Sequence, residues 1–251
     1  MIAIKSKREV EIMRQANRIV GEILEELRLH CRPGVTTREL DRLCEERTRQ
    51  RGAKPAFKGY RGFPGALCTS VNEEVVHGIP AERKLKEGDI VGLDFGVIFE
   101  GYYGDAAITV PIGTVAPEVG NLLRVTEECL YLGIDQMRPG NYVTDISRAI
   151  QTHAEAHDFS VVREFGGHGI GRKLHEEPMV LNYVADGKGI KLRPGLVLAI
   201  EPMVNMGVDA VKILRDGWTV VTLDGRPSAH FEHTVAITED GPEILSKPCS
   251  T

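Results

Sequence analysis

KLKEGDIVGLD, residues 84–94, returns further along the chain as KLRPGLVLAIE, residues 191–201. The offset is 107 residues (84 to 191), and both copies end an apolar strand on a carboxylate, Asp94 in one and Glu201 in the other. A second match lies at almost the same offset. RPG at 32–34 separates two helical stretches, and RPG at 138–140 does so again, 106 residues on. Two matches at one offset define two related halves, roughly 5–112 and 113–245, each reading helix–helix–strands. The period is too long for a solenoid, whose repeats run to about 20–50 residues. Two such halves, related by a pseudo-two-fold axis, predict one α+β domain over 1–251, with helices outside an antiparallel sheet.

Within each half the elements follow from pattern. Val10, Ile12, Met13, Ala16, Val20, Ile23, Leu24 and Leu27 recur at helical spacing between charges, which predicts a helix over 7–29. Thr36 with Glu39 three residues on is a capping box that opens a second helix, fading by Gly52. Helices are also predicted over about 117–137 and 143–157. ALCTSVNEEVVHG, DIVGLDFGVIF and YYGDAAITVPIG alternate and are rich in β-branched residues, as strands are. The remainder is rich in β signals.

Composition narrows the function. With 251 residues and 42% hydrophobic content, the chain can bury roughly 70–75% of its unfolded surface. The net charge is −5 and no Lys/Arg stripe exists, which argues against a nucleic-acid partner. No run of about 18 apolar residues exists, so no membrane span is predicted. The N-terminus MIAIKSKREVEIMR lacks the apolar stretch of a signal peptide. The five cysteines (Cys31, Cys44, Cys68, Cys129, Cys249) are never spaced CxxC and read as free thiols of a reducing cytosol. A cytoplasmic protein is expected.

DFGVIFEGYYGD, residues 94–105, sets two aspartates in an otherwise apolar run. Burying a carboxylate costs several kcal/mol unless something positive meets it. Folded as a hairpin turning near Phe99–Glu100–Gly101, Asp94 and Asp105 become cross-strand neighbours on one face, where like charges repel. A shared proton or a bridging cation would resolve this; turn-capping at the neighbouring glycines is the alternative. The rest of the chain favours the cation. Glu201 ends an apolar strand before Pro202, Glu232 lies inside the strand of SAHFEHTVAIT, and His168 stands between glycine pairs in FGGHGIG. Four carboxylates and one imidazole suit two divalent ions of the Mn, Fe, Co or Zn kind. Two such ions polarise a carbonyl and activate a water, which is hydrolytic chemistry. HEEPM at 175–179 lacks the second histidine of HExxH, so a thermolysin-type zinc helix is excluded.

SVNEEVVHGIP, LDFGVIFEGYYGDAAITV, FGGHGIGRKLHEEP, AIEPMV and FEHTV together resemble the type I methionine aminopeptidases, of the pita-bread (creatinase/aminopeptidase-like) fold. The resemblance covers about residues 5–245 and implies the duplicated architecture that the repeat suggests independently. It implies a metal-dependent hydrolase that removes the initiator methionine from new polypeptides, preferring a small second residue. Asp94, Asp105, His168, Glu201 and Glu232 then correspond to the ligands of two divalent metals (Co, Mn, Fe or Zn). Asp105 and Glu232 would bridge both ions, and Glu201 would also relay a proton. His77 would contact the peptide bond and help to protonate the leaving nitrogen, and His175 would donate to the developing oxyanion. His30, His153, His157, His230 and His233 would not touch the metals; for His230, two residues from Glu232, a supporting role is open.

The resemblance also implies a methionine slot drawn from Tyr60, Phe63, Cys68 and Trp218, apt for a polarisable thioether. Two positions depart from the family. Leu174 stands where phenylalanine is usual, and Phe57 where bacterial relatives carry a small residue or cysteine. Losing one aromatic edge and gaining another should leave methionine accepted in a reshaped pocket. Nascent N-termini are the implied partners; the enzyme would visit the ribosome transiently, though no basic patch marks that contact, and a monomer is expected. The proline-specific peptidases of the same fold are the alternative enzyme, but their extra N-terminal domain has no room before Asp94. A non-catalytic peptide-binding module is the other alternative, disfavoured because all five ligand positions are filled.

Overall fold

The computed structural model describes residues 2–247, so Cys249 lies outside the described residues. Among the described residues there are four α-helices: α1 (Lys7–His30), α2 (Thr37–Gln50), α3 (Pro117–Asp135) and α4 (Val143–Glu155). All four lie within two residues of the ends expected from periodicity. The capping box at α2 forms as anticipated, Thr36 N donating to Glu39 Oε2 at 2.7 Å and Glu39 N to Thr36 Oγ1 at 3.2 Å. α1 has one as well, built from Ser6 and Glu9.

Nine strands form the main sheet: β1 (Lys54–Pro55), β2 (Leu67–Val71), β3 (Ile90–Phe99), β4 (Tyr102–Pro111), β5 (Gly166–Gly169), β6 (Glu176–Leu181), β7 (Val197–Ile200), β8 (Glu232–Thr238) and β9 (Gly241–Ile244). The order across the sheet is β1-β3-β4-β8-β7-β5-β6, with β2 paired to β3 and β9 to β8. Every pairing in this sheet is antiparallel. The first half therefore meets the second between β4 and β8. Two three-stranded sheets complete the β structure: Ser160–Val161, Met203–Asn205 and Ser228–His230 in one, Glu74–Val76, Val211–Ile213 and Val220–Thr222 in the other.

The repeat is visible as matching contacts. Gly34 N donates to Leu85 O at 2.8 Å and Leu85 N to Val35 O at 2.8 Å. In the second half, Gly140 N donates to Leu192 O at 3.0 Å and Leu192 N to Asn141 O at 2.7 Å. Isolated bridges Thr36–Lys84 and Tyr142–Lys191 correspond in the same way. The RPG turn thus ties the helix pair of each half to the start of its strands, the same device used twice.

Alternation along the strands separates core from cavity, because successive side chains point to opposite faces. On β3, Val91, Leu93, Phe95 and Val97 pack with Ala16, Val20 and Ile23 of α1 in one core cluster. The intervening Gly92, Asp94 and Gly96 therefore face the other way. In the second half, Leu198, Ile200 and Val235 pack with Leu122, Val125 and Ile146 of α3 and α4, leaving Ala199 and Thr234 on the opposite face. The β3–β4 hairpin turns on Glu100 and Gly101 alone, at φ 48° and 78°, the two-residue turn that suits twisted strands. Asp94 lies opposite Ala107 and Asp105 opposite Gly96. The two aspartates share a face as anticipated, but as diagonal neighbours rather than a facing pair, because the turn falls one residue later than direct pairing requires.

Candidate metal centre and substrate cavity

Strand register assembles the acids in two adjacent rows. In one, Asp94 faces Ala107, Ala107 faces Glu232, and Glu201 follows Ile200, the partner of His233. In the other, Asp105 lies beside Thr234, Thr234 faces Ala199, and Ala199 faces His168. Thr234 Oγ1 donates to the Asp105 carbonyl at 2.7 Å, fixing that row where the halves join. Small residues occupy the middle of both rows, so the polar side chains converge over a low floor. One donor atom each from Asp105, His168 and Glu232 lies within 4.8 Å of the others, and the same holds for Glu201, His230 and Glu232. His168 Nε2 stands 3.6 Å from Glu201 Oε1 and 4.0 Å from Asp105 Oδ2.

The backbone at His168 explains its glycines. A Cβ on Gly167 would lie 2.2 Å from the Ala199 carbonyl oxygen, so β5 can approach β7 this closely only with glycine there. His168 Nδ1 is 2.9 Å from Gly169 O, and a carbonyl only accepts, so Nδ1 carries the proton and Nε2 presents its lone pair to the acids.

Without a cation the site is electrostatically frustrated. Burial pushes the Asp94 carboxyl up to about 7 and that of Glu201 to about 8. Burial raises Asp105 and Glu232 well above the carboxylate range, and the neighbouring carboxylates raise them further. Burial also holds His168 neutral, down to about 3, with His175 adding to the effect. Asp94 Oδ1, Asp105 Oδ1, Glu232 Oε1 and His230 Nε2 are buried without a hydrogen-bond partner. Such orphaned atoms are rare and costly in native proteins. Hard oxygen donors, three of them on unpartnered buried carboxylates, with one oriented imidazole fit divalent cations of the transition series. Among the described residues, no lysine or arginine pairs with any of the four carboxylates in a salt bridge.

These residues line a cavity of about 350 Å³. Tyr60, Phe63, Leu174 and Trp218 form part of its wall, as does Phe57, so both departures from the family pattern sit where they can reshape it. Phe63 and Trp218 pack edge to face at 5.2 Å. Cys68 is buried behind that wall, opposite Asp94 in the strand register, and does not line the cavity. His175 also lines it, its Nδ1 lying 2.9 Å from the Tyr60 hydroxyl. His77 lies at φ 60°, a left-handed conformation unusual for histidine, and packs edge-on against Phe165 and Trp218 at 5.7 and 6.3 Å. A non-glycine residue so held costs about 1–3 kcal/mol, which marks the position as constrained for more than packing. The structure thus brings all five predicted ligands, His77 and His175 to one cavity.

Sequence reasoning missed Phe165 and Met203, which also line it, each inside a recognised motif (FGGHGIG and AIEPMV). It underrated His230, whose Nε2 is 3.6 Å from Glu201 Oε2. His30, His153, His157 and His233 stand outside the lining.

A curled antiparallel sheet with a carboxylate-and-histidine cavity at its centre is the architecture of a metallopeptidase. Residues 11–239 match the model of metallopeptidase family M24, and the chain belongs to that family. Its relatives sharpen the class. It is 53% identical over 247 residues to methionine aminopeptidase 1 of Bacillus subtilis, covering 98% of this chain and 100% of that protein. It is 54% identical over 246 residues to a methionine aminopeptidase of Clostridium perfringens, covering 98% and 99%. Among solved structures, the methionine aminopeptidase of Thermotoga maritima superposes with a TM-score of 0.96 at 48% identity, covering 98% of this chain and 100% of that one. Prolidase from Pyrococcus furiosus superposes at 0.80 with 22% identity and covers 98% of this chain but 66% of that one, which shows the shared pita-bread fold alone. The chain is a peptide-bond hydrolase of a metal-using family. No helix among the described residues is long and apolar enough to cross a membrane.

Proposed function

We propose that this chain is a methionine aminopeptidase acting on the N-termini of new polypeptides, with both halves (5–112 and 113–245) working as one catalytic domain. The observation that carries it is the pair of cross-strand rows bearing four carboxylates, three of which (Asp94, Asp105 and Glu232) have a buried oxygen without a partner. Asp94, Asp105, His168, Glu201 and Glu232 would hold two divalent ions, with Asp105 and Glu232 shared between them. Bound there, such ions polarise the scissile carbonyl and acidify the attacking water.

The protein's own groups do the rest. Glu201, lining the cavity at the centre, would take a proton from the attacking water and pass it on to the leaving amine. The Tyr60 hydroxyl, 2.9 Å from His175 Nδ1, fixes the ring so that Nε2–H would serve as the donor a developing oxyanion needs. His77, held by Phe165 and Trp218, orients the peptide bond. Tyr60, Phe63, Leu174 and Trp218 enclose the methionine side chain, with Phe57 narrowing one edge and Cys68 as backing. The free α-amino group would bind at the metal centre, which restricts cleavage to the first bond. A cytoplasmic monomer meeting chains near the ribosome suits this role.

The test uses chelator-stripped protein given Mn, Co, Fe or Zn in turn, with Met-Ala-Ser and Ala-Pro-Ser peptides. Methionine should be released only with metal, and the Asp105→Asn variant should lose the activity. Preferential release of alanine before proline would overturn the assignment.

A further inference from the structure

A second cluster of ligand-type side chains lies on the helical side of the second half. His153 is on α4 and His157 one turn further on, so the two imidazoles share a face of the helix end. Their ring centroids are 4.6 Å apart. Glu128, on α3, meets them: its Oε2 lies 2.8 Å from His153 Nε2. One donor atom from each of the three falls within 4.8 Å of the other two. None of the three lines the substrate cavity.

Two further observations separate this cluster from an ordinary surface pair. His157 Nδ1 is 2.9 Å from the His153 carbonyl oxygen, which can only accept. The ring proton therefore sits on Nδ1 and the Nε2 lone pair is left free, the tautomer that metal-ligating histidines adopt when a carbonyl holds the other nitrogen. Glu128 is also oriented. Arg124 Nη1 donates to its Oε1 at 2.5 Å, so one oxygen is taken and Oε2 is the one turned to His153. The side chains of His153 and Glu128 are 23% and 39% exposed, open enough to be loaded and sheltered enough to be pre-set.

We propose that Glu128, His153 and His157 form a separate site for one divalent transition metal, tying α3 to α4. Glu128 Oε2 only accepts, so His153 Nε2 carries a proton at this contact; releasing that proton to solvent and opening the contact by about half an ångström would seat an ion at about 2.0–2.1 Å from each, the usual zinc distance. Two imidazoles and one carboxylate favour Zn, Ni or Cu over Mn, whereas the oxygen-rich cavity centre suits Mn as well. The two sites therefore differ in metal choice. Arg124 works against loading as well as orienting Glu128, because its charge opposes a second cation on the same carboxylate.

Stoichiometry by equilibrium dialysis on chelator-stripped full-length protein tests this with Zn and Mn as probes. The wild type should hold one more equivalent of Zn than of Mn. That extra equivalent should persist in Asp105→Asn and vanish in His157→Gln and in Glu128→Gln. Copper EPR of Asp105→Asn should show two equatorial imidazole nitrogens, falling to one when His157→Gln is added. Arg124→Gln should tighten Zn binding severalfold. Melting in chelator identical to wild type would show that His157→Gln folds; should it fail, Glu128→Gln carries the same reading. His157→Gln should hydrolyse Met-Ala-Ser with Mn at the wild-type rate, which keeps this result apart from the cavity assignment. Equal Zn and Mn stoichiometry, or an extra Zn that survives both His157→Gln and Glu128→Gln, would overturn the proposal.

Discussion

Removing the metal should leave a protein whose stability falls as pH rises through neutrality. An acid whose folded pKa is raised holds a proton that the unfolded chain releases, so its contribution is present at low pH and lost as pH rises through the folded value. The buried histidines oppose this trend, because up to and somewhat above their ordinary value of about 6.5 the unfolded chain takes up protons the folded one refuses; His77, His168, His175, His230 and His233 together return roughly 2 kcal/mol between pH 6.5 and 8. Across the window from pH 6.5 to 8 the four acids outweigh them. Asp94, at about 7, is half released midway, and Glu201, at about 8, is half released at the upper end. At about 1.4 kcal/mol per proton per pH unit, Asp94 contributes a loss of roughly 1 kcal/mol across this window and Glu201 somewhat under 2. Asp105 and Glu232, raised well above the carboxylate range, each add up to about 2 kcal/mol, and water in the open cavity trims all of these figures.

A net loss of about 2 kcal/mol is a large share of a stability that is typically 5–15 kcal/mol. With a urea dependence of about 2–3 kcal/mol per molar, the unfolding midpoint in chelator should fall by close to 1 M between pH 6.5 and 8. Asp105→Asn removes one of the repelling carboxylates, so its fall should be shallower, and at pH 8 it should be more stable than the metal-free wild type. Added Mn should restore the wild type most at pH 8, because ligation requires deprotonated carboxylates, and should do little for Asp105→Asn. Far-UV circular dichroism is the right probe, since Trp218 lines the cavity and would report the metal directly. A flat or rising midpoint in chelator, or an Asp105→Asn variant weaker than wild type at pH 8, would refute the reasoning.

Gly167→Ala should cost about 3 kcal/mol in urea unfolding, since its Cβ would sit 2.2 Å from the Ala199 carbonyl oxygen and force β5 from β7. The same displacement moves His168, so metal affinity measured by titration calorimetry should fall with it. Leu174→Phe should change the preference between methionine and norleucine substrates by the equivalent of about 1–3 kcal/mol, because Leu174 and Phe57 both line the cavity. An unchanged kcat/KM ratio for the two substrates would show that these side chains do not set the pocket.

The fold was legible where the signal is local or repeated. Helix ends could be read because capping and periodicity lie within a few residues of each other, as Thr36 and Glu39 do. The repeat could be read because one turn, RPG, is used twice to tie helices to strands, and the paired bridges at Thr36–Lys84 and Tyr142–Lys191 show it working. Register was less accessible. A hairpin centred one residue earlier would have set Asp94 squarely against Asp105, but Gly101 takes a turn position at φ 78° that Phe99 would resist. Chemistry-bearing residues in motifs were legible; those that merely close the cavity, Phe165 and Met203, were not, because an apolar residue beside a strand looks the same in a wall and in a core. His230 shows the same limit. Only the folded chain brings its unpartnered Nε2 to Glu201.

The position of the centre follows from the duplication. Asp94 and Asp105 come from the first half; His168, Glu201 and Glu232 come from the second. The halves meet where β4 pairs with β8, in a register of two residue pairs, Glu232 with Ala107 and His233 with Ala106. Asp105 and Glu232 stand on either side of that seam, one row apart, and Asp94 and Glu201, equivalent by the repeat, stand at the two ends of one row. Few hydrogen-bonded pairs hold the seam, and four carboxylates repel across and along it. On the proposed reading, a cation shared by Asp105 and Glu232 would convert that repulsion into a cross-link between the halves. The acids that break the apolar strand pattern are thus the residues through which metal binding and the joining of the two halves would become the same event.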